Sequence, residues 1–394
     1  MSSKNPATGA QTALYYVEET EVNQTPENPV WKPLRFTGGI PALQREVLQS
    51  AELDGNREIT EVRTGSKSAQ GTINVELSHL SHNELFAACL QSSFEDQPEV
   101  SVTASTTIGF VAEGNKIVDS TADSFTGVLP GRKLTVSGAS EAGNNTVFTV
   151  AQVLDAKTVV VNEVVTEEAE GEEITISADS VQSVRVGGTV RTFTLLVQFN
   201  DLKDVPCYDI ITGVEFTGFS LNLAVNAIAT GGFEVIGRDY FADQSLPNGS
   251  TFAEPTETRP YTGLDGAIIK DGEQLGVVTS MTPNLANGAN AEYAIGSSGV
   301  SYVSYGRANN TFELATAFTS YSLFTAYINE EQSHITLRLV LDGNFLEFNY
   351  PRTQLTSGSP NPEGEGTITL SVGVQALRDE YAESSVVITC NKGS

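Results

Sequence analysis

SHNELFAACL, residues 81–90, and TSYSLFTAYI, residues 319–328, are near copies of one short apolar segment. Leu85, Phe86 and Ala88 of the first match Leu323, Phe324 and Ala326 of the second at a constant offset of 238. Ser81 and Glu84 have the spacing of a capping box, and Leu85, Phe86, Cys89 and Leu90 then share one helical face. A helix of about two turns, packed on a sheet, is therefore expected in each copy. Leu85, Phe86 and Ala88, with Leu323, Phe324 and Ala326, are its expected core residues, and Phe86 and Phe324 should lie beneath their sheets alike.

Around each copy the pattern changes from helical to period two. TINVELS (72–78), RTFTLLVQF (191–199), SLNLAV (220–225) and HITLRLVL (334–341) alternate as half-buried strands do, so the fold is mainly β. RTFTLLVQF aligns with SHITLRLVL at an offset of 142, and Arg238-Asp239 with Arg378-Asp379 at 140. A period this long is a duplicated domain and not a solenoid repeat. The drop from 238 to 142 leaves 96 extra residues between the helix and the next strand of the first copy. Residues 97–181 thus read as an inserted small β module, with strands at KIVDST, RKLTVSG, TVFTVAQVL, KTVVVNEVV and EEITIS. Its ends should lie close together on a surface connection. The expected order is residues 1–96 and 182–262 as the first domain, 97–181 as a peripheral insert and 263–394 as the second domain.

The chain of 394 residues carries 49 acidic and 22 basic side chains, a formal net charge of -27. At 39% hydrophobic it is globular, and its surface repels phosphate backbones and anionic lipids. The insert holds 13 of the acids and 4 of the basic residues, so the body of the protein is itself acidic. No apolar run approaches the roughly 18 residues of a membrane span, and the start MSSKNPATGAQTALYY lacks the basic and apolar regions of a signal peptide. Three cysteines, Cys89, Cys207 and Cys390, without CxxC spacing, suggest neither a disulfide framework nor a zinc site. A reducing cytosol is the expected place of synthesis.

Chemistry-bearing patterns are sparse. His79 and His82, near Glu76 and Glu84, have the spacing for a metal pair, but a strand end and helix cap expose polar residues anyway. EEAEGEE, residues 167–173, lacks EF-hand spacing and reads as a solvated acidic turn. Cys89 reads as a small core residue. No hydrolase, metalloprotease, phosphate-loop or dinucleotide signature is present, so no enzymatic activity and no cofactor are expected. AELDGNREITEVRTGS, residues 51–66, is a long polar excursion between strands. Its Glu52, Asp54, Arg57, Glu58, Glu61 and Arg63 fit either a solvated hairpin or an assembly loop whose mixed charges meet a neighbouring subunit. The counterpart AIGSSGVSYVSYG, residues 294–306, has no charge.

Taken in order, LYYVEET (14–20), TPENPVWKPLRFTGG (25–39), SAELDGNREITEVRTGS (50–66), INVELS (73–78) and the LFAACL helix resemble the opening of tail tube proteins of long-tailed bacteriophages. The resemblance covers about the first 95 residues and reaches the second copy through the internal repeat; the insert looks like the small β domains that decorate phage tail proteins. It implies a tail-tube β sandwich with a flanking helix in each copy, and rings whose inner sheets form one barrel and stack into a conduit for genomic DNA. A fold that fills six places around a ring occurs twice here, so three chains would make a pseudo-sixfold ring. Three chains at -27 carry -81, and an acidic bore would let DNA pass without binding. The resemblance also implies contacts with tail terminator, tape measure and baseplate or tip proteins, assembly in the host cytoplasm and a place in the virion. A tandem-β adhesin of the cell surface is the alternative, and a tail-spike glycanase a third; in the latter, acids at this density single out no catalytic pair.

Overall fold

The computed structural model describes residues 7–51, 61–97, 99–201, 207–361 and 366–392. It is mainly β, with two short α-helices. In chain order the first part holds β1 (Thr12–Glu18), β2 (Val30–Pro33), β3 (Ala42–Gln49), β4 (Val62–Glu76), α1 (Asn83–Cys89) and β5 (Glu95–Gln97). Seven strands follow: β6 (Val100–Ser105), β7 (Ile108–Val111), β8 (Lys116–Asp119), β9 (Lys133–Ser137), β10 (Val147–Asp155), β11 (Thr158–Val161) and β12 (Ile174–Ala178). Next come β13 (Val181–Arg185), β14 (Phe193–Phe199), β15 (Cys207–Ala224), β16 (Thr230–Gly237), β17 (Asp239–Gln244) and β18 (Thr251–Phe252). The last part has β19 (Gly266–Lys270), β20 (Glu273–Gln274), β21 (Val278–Ala286), β22 (Asn290–Glu292), β23 (Tyr302–Ser304), β24 (Asn309–Ala317) and α2 (Ser322–Ile328). It closes with β25 (Gln332–Leu341), β26 (Asn344–Asn361), β27 (Thr369–Ala376) and β28 (Val387–Asn391).

One succession of antiparallel pairings occurs twice. The first runs β3·β4·β16·β15·β14·β1, with β17 on the free side of the start of β15. The second runs β21·β24·β27·β26·β25·β19, with β28 on the start of β26. Even the irregularities are duplicated. The bulge between Phe216 and Gly218 has its twin between Leu355 and Ser357, and the β16 and β27 partners follow the same offset of 139. A bulge inserts one residue and re-aims the strand, so its duplication fixes the alignment of the two repeats residue by residue. By the same pairings Phe193 matches Ser333, two residues from the alignment read in sequence. A two-residue slip keeps every side chain on its face, which is why alternation alone could not detect it.

Both repeats contribute to one core. Ile73, Phe86, Phe219, Phe233, Leu337, Phe348 and Val372 belong to a single buried cluster. Each helix packs on the long strand of its repeat, α1 on β15 and α2 on β26. They are buried unequally: Leu85, Phe86, Ala87, Ala88 and Cys89 are all buried, whereas in α2 only Ala326 is. The expected capping box does not form. Ser81 Oγ bonds with Ser78 Oγ at 2.7 Å and with Thr256, while Glu84 pairs with Lys32, so neither side chain is free to cap and His82 precedes the helix without a side-chain cap.

β6 to β12 form a separate seven-stranded sheet in the order β6-β12-β9-β10-β11-β8-β7, around its own core of Phe110, Phe125, Leu134, Phe148 and Ile176. The chain enters and leaves it through β5 and β13, where Gln97 and Val181 face each other. β13 also pairs with β28, so this sheet is stitched to the second repeat, although it interrupts the first. There Asn162 Nδ2 meets His334 Nδ1 at 2.8 Å, and His334 Nε2 meets Asn349 Oδ1 at 3.0 Å. Gly131, at φ +90°, lies so close to the Asn349 side chain that a Cβ would come within 2.2 Å of it.

Candidate assembly surface

The functional surface of a duplicated β protein is expected where its two repeats meet and where the same surfaces recur without a partner. The internal joint is built first from backbone. The second half of β15 is paired on both sides, by β16 and by β21, in the register Gly218↔Ala286, Phe219↔Leu285 and Ser220↔Asn284. Gly218 is required there, since a Cβ would lie 2.5 Å from the Leu285 carbonyl oxygen. The helix α1 is the second component. Phe86 is 1% exposed and stands edge-on to Phe219 and Phe233 at 5.1 Å each and to Phe348 at 5.4 Å. Phe348 lies on β26, so this aromatic cluster, in the T-shaped geometry rings prefer, ties the two repeats together. Asn83 Nδ2 also donates to Cys390 Sγ at 3.2 Å, and Asn287 Nδ2 to the Cys89 carbonyl at 2.6 Å.

A polar latch completes the joint. From β21 the chain runs into the β22–β23 hairpin, whose Val300 and Val303 pack on Ile236 at the end of β16. Arg238 donates to the Ser301 carbonyl at 2.8 Å and to Glu215 Oε1 at 2.9 Å, and the Tyr305 hydroxyl donates to Glu215 Oε2 at 2.7 Å. Glu215 is buried with both oxygens partnered, so truncating Arg238 would leave its charge stranded in low dielectric, and truncating Tyr305 would leave one oxygen without a donor.

The same surfaces recur open. Among the described residues β3, the counterpart of β21, pairs only with β4, and every one of its residues is exposed. The second half of β26 has β27 on one side and, among the described residues, no strand on the other beyond Gln354. Apolar side chains stand in the open on this ribbon: Leu43, Val47, Leu48 and Val62. Beside α2, where Tyr321 and Ile328 are exposed, lies a groove of about 390 Å³ bordered by Lys270, Leu275, Leu323 and Leu370.

Of the charged loop residues singled out in the sequence, Glu61 and Arg63 stand exposed at the base of the β3–β4 arm, and Glu52, Asp54, Arg57 and Glu58 lie outside the described residues. Leu85, Phe86, Ala88 and Ala326 lie in the core, Leu323 packs against it half-buried, and Phe324 is half-buried. His79 and His82 are not exposed cap residues but buried ones. A strap from the linker between the repeats covers them: Thr258 Oγ1 donates to the His79 carbonyl at 2.9 Å, and the Arg35 guanidinium bridges Ser78 to the Thr258 carbonyl at 3.1 and 2.7 Å. Burial pulls His82 down to about 4, with Nε2 held 3.0 Å from the Arg35 carbonyl. Burial likewise pushes the Cys89 thiol far up, so it is an inert core thiol. Among the described residues no three His, Cys, Asp or Glu side chains are grouped to hold a metal, and no helix is long and apolar enough to cross a membrane. Arg238 and Glu215 escaped the sequence reading as a site; the Arg-Asp repeat at 238 and 378 was their only trace.

A family model described as phage tail tube protein matches residues 9–376. No curated protein matches the chain.

Proposed function

The chain belongs to the phage tail tube protein family, a structural component of the virion that self-assembles into a stacked tube, and from that premise we propose that three copies close each ring. The observation that carries this reading is the duplicated succession of pairings, down to the twin bulges: each chain supplies two of six equivalent places. The open edges of β3 and β26 support it, because a closed ring removes edges that would otherwise template uncontrolled association. On this reading residues 1–96 with 182–262, and residues 263–394, are the two tube domains, and residues 97–181 decorate the outside. The β3–β4 arm, with Glu52, Asp54, Arg57, Glu58, Glu61 and Arg63, reaches the adjacent ring. Genomic DNA moves through the bore during ejection without specific binding, since three chains carry -81 and repel its phosphates. The protein acts by assembly, not catalysis, is made in the host cytoplasm, and meets terminator, tape measure and tip proteins at the tube ends.

Electron microscopy of the purified chain tests the reading. Hollow tubes of stacked rings are expected; elongated single molecules at assembling concentrations would contradict it and favour the adhesin alternative.

A further inference from the structure

The duplication allows the joint between chains to be read from the joint within one. Aligned through their shared neighbours, β24 and β4, the strands β21 and β3 correspond with Pro283 on Pro41 and Leu285 on Leu43. The sequences agree, PNL against PAL. Their environments do not: Leu285 is 1% exposed beneath β15, and Leu43 is 40% exposed. On the receiving side, Phe219 corresponds to Gly358 and Ser220 to Ser359. A core-filling Phe–Leu pair inside the chain thus has as its counterpart an exposed leucine and a glycine with no side chain, whose would-be Cβ would touch only Val372, at 3.6 Å.

The polar latch has a counterpart too. At the matching bend the Leu377 N–H donates to the Arg352 carbonyl, whereas the Arg238 N–H donates to the Thr212 carbonyl, one residue earlier by the same offset of 139. Arg352 takes the position of Gly213, over which the Arg238 side chain passes, with a would-be Cβ only 2.8 Å from it. With that path filled, Arg378 is exposed, and its side chain has no partner among the described residues. Two cations, Arg352 and Arg378, therefore mark the place where the internal joint has Arg238. The segment that would arrive there, the base of the β3–β4 arm, carries the exposed carboxylate Glu61. Ser357 stands in place of Gly218, so at that residue an arriving strand must lie farther from β26 than β21 lies from β15; its Oγ accepts from the Gly373 N–H at 3.0 Å.

We propose that a second copy of this chain docks β3 on the open edge of β26 in the antiparallel register Ala42↔Ser359 and Leu43↔Gly358, with Arg378 and Arg352 receiving the base of its arm. This rests on the ring reading above and adds the strand, the register and the cations that carry it. Leu43 lies over Gly358, where no side chain stands in its way, and the arriving carboxylate meets the Arg378 guanidinium, which has no side-chain partner among the described residues, with the Arg352 guanidinium, held by Gln332 Oε1 at 2.9 Å, beside it.

Paired cysteines test the register. Ala42→Cys with Ser359→Cys places thiols on directly opposed exposed residues, within the Cα separation a disulfide tolerates. The three native cysteines are buried and stay silent. Oxidised tubes should yield covalent multimers up to three chains on a non-reducing gel. Ala42→Cys with Ser357→Cys, shifted by two, should give almost none. Rings that form normally but cross-link only in the shifted pair, or not at all, would overturn the joint while leaving the ring reading intact. A wild-type chain that forms no rings would sink both. Arg378→Glu is expected to raise the concentration needed for assembly at least tenfold with an unchanged melting curve. Assembly at the wild-type concentration would remove the cations from the joint.

Discussion

Replacing Phe86 by alanine should cost far more than replacing Phe324, although the two occupy matching places in the repeat. Phe86 is fully enclosed and loses three edge-on partners at 5.1, 5.1 and 5.4 Å, two on its own repeat and one on the other. A buried Phe→Ala change costs about 3–5 kcal/mol, and the lost ring pairs place this one toward the upper end. Phe324 is half-buried and outside the main cluster, so about 1–2 kcal/mol is expected in the unassembled chain. Urea unfolding at concentrations below assembly reads the difference. Trp31, the one tryptophan, is buried in the first repeat with Nε1 donating to Ser250 Oγ at 3.0 Å, so its fluorescence follows that repeat. The Phe86→Ala midpoint should fall steeply and the Phe324→Ala midpoint slightly. Equal shifts would refute the reasoning, because they would mean that α1 is not wedged between the repeats.

Stability should fall as the solution is acidified from about pH 6.5 toward 4. His82 is held neutral by burial at about 4 against an ordinary 6.5, so the unfolded chain binds the extra proton in that window, worth about 3 kcal/mol; a His82→Gln variant should flatten this part of a thermal melt series. Replacing the module by a short Gly/Ser turn between Gln97 and Val181 should preserve ring formation, because those residues already face each other, while lowering the melting temperature. The loss arises because Asn162 leaves His334, and Lys133 leaves the field of the buried Glu347; calorimetry with electron microscopy separates the two effects. Reversing the charges of Glu52, Asp54 and Glu58 together, with Glu61 at the arm's base left in place, should leave single rings that sediment normally but do not lengthen into tubes; normal tubes would assign the arm to the bore.

Period-two alternation located β4, β14, β15 and β25, and the Leu-Phe-x-Ala motif located both helices, because each of these signals depends on one face meeting a core. The break in offset marked the stretch that holds the separate seven-stranded sheet for a different reason: added residues change spacing without disturbing the repeats on either side. What stayed hidden depends on partners distant in sequence. Ser81 and Glu84 carry the letters of a capping box, yet Thr256 and Lys32 claim them. His82 looked like an exposed cap because its cover, Arg35 and the strap near Thr258, lies far along the chain. The unequal burial of α1 and α2 was likewise illegible, since it reflects which repeat has a neighbour within the same chain and not the composition of either helix.

The copy number of a ring tests the central claim most directly. A cryo-electron microscopy reconstruction of tubes assembled from the purified chain, made without imposed symmetry, should show six similar lobes per ring related in alternating pairs, three chains in all, with three module densities outside. Six identical lobes with six modules, one chain to each lobe, would contradict the account.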